Sequence, residues 1–348
     1  MEWDLLPADG FSKIADAWDR LNASNRAVPF LSSEFIAHAL AHFGTGRETV
    51  VIGMQHGEPV AMGVLTRLSP GAWRTFQPSQ LPLGAWVMRP EVRWETLASA
   101  LIRCLPGSPL LLGITQQDPH LVPRPDDSAY MRTLDYIQTA WVDLSGSFDE
   151  YWTARGKNLR HNMKRQRAKL EADGIQAVLE ELTRAEEVAD AIRDYGRLES
   201  AGWKAASGTA IHPDNVQGRF YRSLLEAYCR KNAGRIYRYR FDDRVVAVDL
   251  CIEGGATQVV LKTTYDESYK SLSPAFLMRQ EALRRLFESG RCKRVEFYGK
   301  CMEWHTRWTD RVRTLYHINV YRWPLLNRLH TWWGGWRDER KAQVPGAA

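Results

Sequence analysis

The 348-residue chain has no pair of cysteines in CxxC spacing. Its five cysteines, Cys104, Cys229, Cys251, Cys292 and Cys301, are odd in number and scattered. That pattern excludes a disulfide scaffold and reads as reduced thiols in a cytoplasmic protein. No uninterrupted apolar run reaches the roughly 18 residues that a spanning helix needs. The acidic start Met1-Glu2-Trp3-Asp4 lacks the basic and apolar regions of a secretion signal. A Walker loop, GxGxxG and GxSxG are also missing, which removes several common nucleotide-binding and hydrolase readings. No His/Cys/Asp/Glu set has metal-ligand spacing, so no metal is expected.

What is present is the composition of an ordinary globular protein, 44% hydrophobic and 25% charged. A formal charge of +6 favours an anionic partner: a phosphorylated cofactor, nucleic acid or a membrane surface. The length suits two domains. We expect a mixed α/β unit over 1–144, a second over 145–322, and a basic aromatic tail over 323–348. In the first, Thr49–Met54 and Pro59–Leu65 read as a hairpin, and Glu91–Cys104 as a helix followed by the strand Pro109–Gly113. In the second, Phe148–Asp173 reads as one long helix, Ile175–Leu179 as a strand, and Ala185–Ser200 and Pro213–Lys231 as helices. The two halves suggest a duplicated fold without a residue-level repeat.

Residues 235–298 carry the most specific pattern. Strands Arg235–Phe241, Val245–Ile252 and Thr257–Thr264 are joined by the turns Asp242-Asp243 and Gly254-Gly255. A loop ending at Ser273-Pro274, the helix Pro274–Ser289 and the strand Arg294–Tyr298 follow. A meander that feeds a helix and returns to the sheet sets that helix's amino end at a crevice, where free N–H groups suit an anion. This is the order of elements in the acyl-coenzyme A-binding half of GNAT-type acyltransferases. The carboxy-terminal half resembles the CelD-type branch of that superfamily and, more distantly, the Fem aminoacyl transferases. The resemblance covers roughly residues 140–322 and rests on four segments. They are Asn158-Leu159-Arg160-His161-Asn162-Met163-Lys164-Arg165, Leu198-Glu199-Ser200-Ala201-Gly202-Trp203, the Tyr265-to-Pro274 loop, and Gly299 with Trp304-His305-Thr306-Arg307-Trp308. This chain departs from the family pattern in having Ala275 after the loop proline and His305 near a usual Lys.

The resemblance implies a fold of two GNAT-like mixed-sheet domains, α/β in class. It implies transfer of an acyl group from acyl-coenzyme A (acetyl-coenzyme A) to an amine or hydroxyl, with a cell-surface polysaccharide as the suggested acceptor. Donor binding then falls to Tyr269, Lys270, Ser271, Leu272, Ser273 and Ala275, with Ser273 capping the helix. The plain alternative is a capped helix that binds nothing. His305, with an ordinary pKa near 6.5, is the expected base, with Glu303 and Asp249 as carboxylate alternatives. Each has its own plain reading: a packed histidine, a surface carboxylate, and a hydrogen-bonded Asp in an apolar strand. Substrate contacts are expected from Arg160, Lys164, Trp203, Tyr265, Arg307 and Trp308. The basic helix from Arg155 to Lys169 has no acidic residue among its cations; it is either an anion-binding face or a solvated one. A Fem-like reading makes tRNA the partner of that helix. A non-catalytic ligand-binding module is the third reading. The tail, with Trp323, Leu325, Leu326, Leu329, Trp332 and Trp333, either lies on a membrane surface or packs on its own domain. Nothing in the sequence sets the oligomeric state.

Overall fold

The computed structural model describes residues 1–201 and 211–330. In chain order the first elements are β1 (Glu2–Pro7), α1 (Ala15–Ser24), α2 (Ser33–Phe43), β2 (Thr49–Gln55), β3 (Glu58–Ser69), β4 (Ala72–Thr75) and β5 (Trp86–Met88). Next come α3 (Trp94–Cys104), β6 (Leu111–Gln117), β7 (Met131–Asp143), α4 (Phe148–Thr153), α5 (Lys157–Ala172), β8 (Ala177–Leu182) and α6 (Ala185–Ala201). The chain continues with α7 (Val216–Arg230), β9 (Gly234–Phe241), β10 (Arg244–Gly254), β11 (Thr257–Tyr265), α8 (Pro274–Ser289), β12 (Arg294–Glu296), α9 (Glu303–Thr306) and β13 (Val312–Tyr321).

The chain forms two compact units that interleave in sequence rather than dividing near residue 144. One comprises Met1–Arg26, Gly44–Ile137 and the segment from Thr314; the other comprises Ala27–Phe43 and Gln138–Arg313. Each repeats one arrangement of sheet and helix. In the first unit β2 and β3 pair antiparallel, β3 pairs antiparallel with β4, and after α3 the strand β6 returns parallel to β4. In the second, β9, β10 and β11 form an antiparallel meander, and after α8 the strand β12 returns parallel to β11. Beyond the returning strand each unit adds one more, antiparallel: β13 beside β6, and the later residues of β7 beside β12.

The second unit holds its core between sheet and helices. β10 is buried on both faces from Val245 to Ile252, the pattern of a strand covered on each side. α8 buries Leu277, Met278, Ala282, Leu283 and Leu286, a helical stripe that fixes which of its faces meets the sheet. The expected long helix Phe148–Asp173 is two helices. α4 starts on a capping box, Ser147 with Glu150, and ends before Gly156, whose extended backbone (φ −53°, ψ 139°) breaks the helix and restarts it as α5.

Candidate active site

β11 and β12 pair over only three residues, Thr257–Val259 with Arg294–Glu296. In β11 the register with β10 shifts between the Leu250–Lys262 and Cys251–Val260 pairs, leaving Leu261 as a bulge just past the last β12 pair. From there to Tyr265 the β12-side edge of β11 has no strand partner among the described residues. A 3-10 turn, Glu267–Leu272, follows; the Asp266 side chain caps it by accepting from Ser268 N–H and Oγ at 3.0 and 2.6 Å. These hydrogen bonds and the Arg244 guanidinium, 2.8 Å away, hold the Asp266 carboxyl below the usual range against the opposing effect of burial.

The resulting cavity holds about 380 Å³, all within the second unit. Its walls are Thr263, Thr264 and Tyr265 of β11, Ser273 to Phe276 and Arg279 at the start of α8, Leu198 and Glu199 of α6, Glu267, Lys270 and Trp304. The first turn of α8 thus opens on the cavity. Ser273 does not cap it as expected: it adopts the left-handed region (φ 52°, ψ 51°) and its side chain makes no cap hydrogen bond. The backbone carbonyl of Ser273 accepts from Phe276 and Leu277 instead. Pro274 fills the first helical position, where the lack of an N–H costs no helix bond.

The cavity wall includes a buried charged pair. Arg279 Nη2 donates to Asp249 Oδ2 at 2.7 Å and to Thr263 Oγ1 at 3.1 Å. The guanidinium lies over the rings of Trp304 and Phe297, 4.6 and 5.7 Å from their centroids. Trp304 stacks on His305 with centroids 3.5 Å apart. Asp249 is therefore the counterion of an arginine, and its other oxygen is buried without a hydrogen bond among the described residues.

His305 differs from the expectation of a base titrating near neutrality. Burial, and then the Arg279 charge, push its pKa down to about 4. Its Nδ1 accepts the Met302 N–H at 2.9 Å, so the neutral ring carries its proton on Nε2 and has no free lone pair for a second one. Glu303 is exposed and ion-paired with Arg307 at 2.7 Å. Both line a separate polar recess with Arg155, Asn158 and His161. Trp308 is fully buried between Phe276 and Trp152, and its carbonyl accepts from Tyr151 and Arg155; it is core rather than a substrate wall.

Of the loop residues expected at the donor site, Lys270, Ser273 and Ala275 line the cavity, as does Tyr265. Tyr269 instead packs on Phe241 and under Arg244, Leu272 is buried in the core, and Ser271 is exposed. Arg160 and Lys164 stand exposed on α5, away from the cavity wall, while Leu159, Met163, Gln166 and Leu170 face inward. Trp203 lies outside the described residues. Among the cavity residues not expected as site residues from the sequence, Glu199 and Arg279 are the buried charged ones. Each had a signal: a charged side chain on the apolar stripe of its helix, Glu199 in register with Ile192 and Tyr195, Arg279 with Ala282, Leu283 and Leu286. Glu199 is buried, and its Oε2 accepts the Ile211 N–H at 2.7 Å. No cluster of three or more metal-ligating side chains occurs among the described residues.

Residues 157–306 match the family model described as an acetyltransferase (GNAT) domain. The matched stretch contains every residue of the cavity wall. Among solved structures, FemX superposes with a TM-score of 0.58 at 8% identity, covering 94% of this chain and 99% of its own. A conserved protein of unknown function from Bacteroides thetaiotaomicron gives 0.55 at 9% identity, covering 92% of this chain and 99% of its own. The C-terminal domain of a "putative lysylphosphatidylglycerol synthetase" from Agrobacterium fabrum gives 0.52 at 13% identity, covering 90% and 92%. No curated protein matches the chain by sequence. At such identities the structures share the fold alone, and they share it over nearly the whole chain. The chain is a mixed α/β protein with a GNAT-like fold, and its residues 157–306 match a GNAT acetyltransferase domain.

Proposed function

We propose that the chain is an acyltransferase of the CelD-like kind, moving an acyl group from acyl-coenzyme A to an amine or hydroxyl of a glycan acceptor. One observation carries this reading: the cavity where β11 parts from β12, with the first turn of α8 opening on it. The parted edge of β11 offers backbone groups to an extended amide-bearing arm, and the α8 terminus with Lys270 suits the phosphates behind it. The acceptor's nitrogen or oxygen attacks the thioester carbonyl, the C–S bond breaks, and the departing thiolate takes up the proton that the acceptor has given to its base. A backbone N–H on the unpaired stretch of β11 holds the developing oxyanion. We assign the acceptor's proton to Glu199, a carboxylate on the cavity wall oriented by Ile211 N–H, in place of His305. Arg279, fixed by Asp249 and stacked on Trp304, places a held cation in the same wall.

The test is native mass spectrometry of freshly purified protein followed by calorimetry with coenzyme A and acetyl-coenzyme A. Binding that survives in wild type and weakens in Lys270→Glu supports the reading; no binding of either ligand refutes it. A second reading has its own observation. Lys157, Arg160, Lys164, Arg165 and Lys169 form an exposed face on α5 with no ion pair among the described residues. That face suits a polyanion such as aminoacyl-tRNA, as in a Fem-like transferase. Binding of tRNA that weakens steeply with salt and is lost in Arg160→Ala with Lys164→Ala would favour it.

A further inference from the structure

We propose that one end of the first unit's sheet is a docking face for an anionic lipid bilayer surface. The strand pairings define the row of residues at that end. Ser69 of β3 pairs with Ala72 of β4, Ala72 with Leu111 of β6, and Leu111 with Tyr321 of β13. The Tyr321 N–H then donates to the Tyr130 carbonyl, just before β7, at 2.8 Å. Four large apolar side chains lie in this row or within two residues of it: Leu68, Leu110, Tyr130 and Trp323. Residues 324–330, which are helical, add Leu325 and Leu329, four residues apart and so on one face. All six are exposed, by 39 to 63%. Asn327 fixes that helix to the same end by donating to the carbonyls of Ser128 and Ala129 at 2.9 and 3.3 Å. Scattered exposed leucines are ordinary; six large apolar side chains collected at one sheet end are a surface that has a use.

The charges around this rim choose the occupant. Arg67, Arg322 and Arg328 flank the apolar side chains and make no ion pair among the described residues. Arg322 is anchored by its backbone N–H to Leu110 and by its guanidinium to the Ile102 carbonyl, while Arg67 holds the Ser69 and Pro70 carbonyls. The Asp127 carboxylate lies near Tyr321 in this row, and one of its oxygens is taken by the Thr133 N–H and hydroxyl. Apolar anchors with a tryptophan, ringed by unpaired arginines, are the composition of an interfacial contact with acidic headgroups. The sequence after His330 continues in the same vein, with Trp332, Trp333, Trp336, Arg337, Arg340 and Lys341 against Asp338 and Glu339. None of these residues borders the cavity beside α8.

The test is vesicle flotation of the full chain, with vesicles of phosphatidylcholine alone and of equimolar phosphatidylcholine and phosphatidylglycerol. We expect binding to the mixed vesicles only, a blue shift of tryptophan fluorescence, and release by salt. Arg67→Gln and Arg328→Gln should each lower partitioning about five-fold, the effect of one cation near an acidic surface. Trp323→Ser combined with Leu325→Ser and Leu329→Ser should lower it at least about ten-fold through lost apolar burial. If that triple variant unfolds, the two arginine variants alone decide the matter. A chain ending at His330 that still binds supports the rim. Loss of binding on that truncation, with the rim variants behaving as wild type, overturns the proposal. So do absence of binding, equal binding to both vesicle types, or light scattering that shows the rim buried between two copies.

Discussion

Cutting Asp249 back to alanine is the sharpest test of how the cavity wall is built. The change leaves the Arg279 guanidinium, whose side chain is 6% exposed, without its counterion 2.7 Å away. Breaking a buried pair from one side costs about 3–5 kcal/mol, because the remaining charge is stranded. In a folding unit of roughly 150–250 residues each kcal/mol moves the melting temperature about 2–4 °C, so the expected drop is roughly 6–20 °C. The lower end is favoured here, since Arg279 borders a cavity through which water can reach it. Asp249→Val with Arg279→Met removes both charges and should recover most of the loss, to within about 2 kcal/mol of wild type. Urea denaturation of wild type, Asp249→Val, Arg279→Met and the double variant gives the coupling directly as a double-mutant cycle. A loss below about 1 kcal/mol for Asp249→Ala would refute the reasoning, showing a solvated guanidinium that needs no partner.

Other outcomes follow from the same geometry. His305 holds a folded pKa of about 4 against an ordinary value of 6.5, so the unfolded chain takes up its proton first as pH falls. Stability should therefore drop between pH 6.5 and 4 by on the order of 3 kcal/mol from this group, and His305→Gln should flatten that slope in melting curves across the range. Glu199→Gln should lower turnover about 100-fold or more while calorimetry shows donor affinity kept; equal turnover removes it from the mechanism. Ser273→Gly, at a left-handed residue, should raise stability by about 1 kcal/mol in chemical denaturation, and a loss would show that the serine side chain matters to the loop.

Much of the second unit could be read from periodicity. Strands β9 to β11 and helix α8 lie within one or two residues of their expected bounds, because alternating and helical apolar patterns there agree with the turns at Asp242 and Gly255. The site was less legible, for two reasons. A sequence shows that Asp249 and Arg279 break apolar patterns but not that they meet each other 30 residues apart. It also shows a histidine's ordinary chemistry but not the burial and the Met302 N–H that take its basic nitrogen away. Gly156 ended α4–α5 continuity through local backbone conformation, which a strong flanking helical pattern concealed. The capping role expected of Ser273 failed for a similar reason: the 3-10 turn before it forces the chain through a left-handed residue to enter α8.

The crossed arrangement of β7 and β13 has a consequence for synthesis on the ribosome. The strand that follows β6 passes its later residues to the other unit, and the strand beside β6 is β13, made almost 200 residues afterwards. The nascent first unit thus waits with an open edge, with β6 unpaired on that side, until the second unit has been synthesised through Arg313. An exposed strand edge is a template for wrong partners, so this interval is the period of greatest exposure to aggregation or chaperone capture. Halves expressed separately from a cut near residue 144 would each lack a strand its sheet requires, and co-expression of the pieces would be needed to supply both.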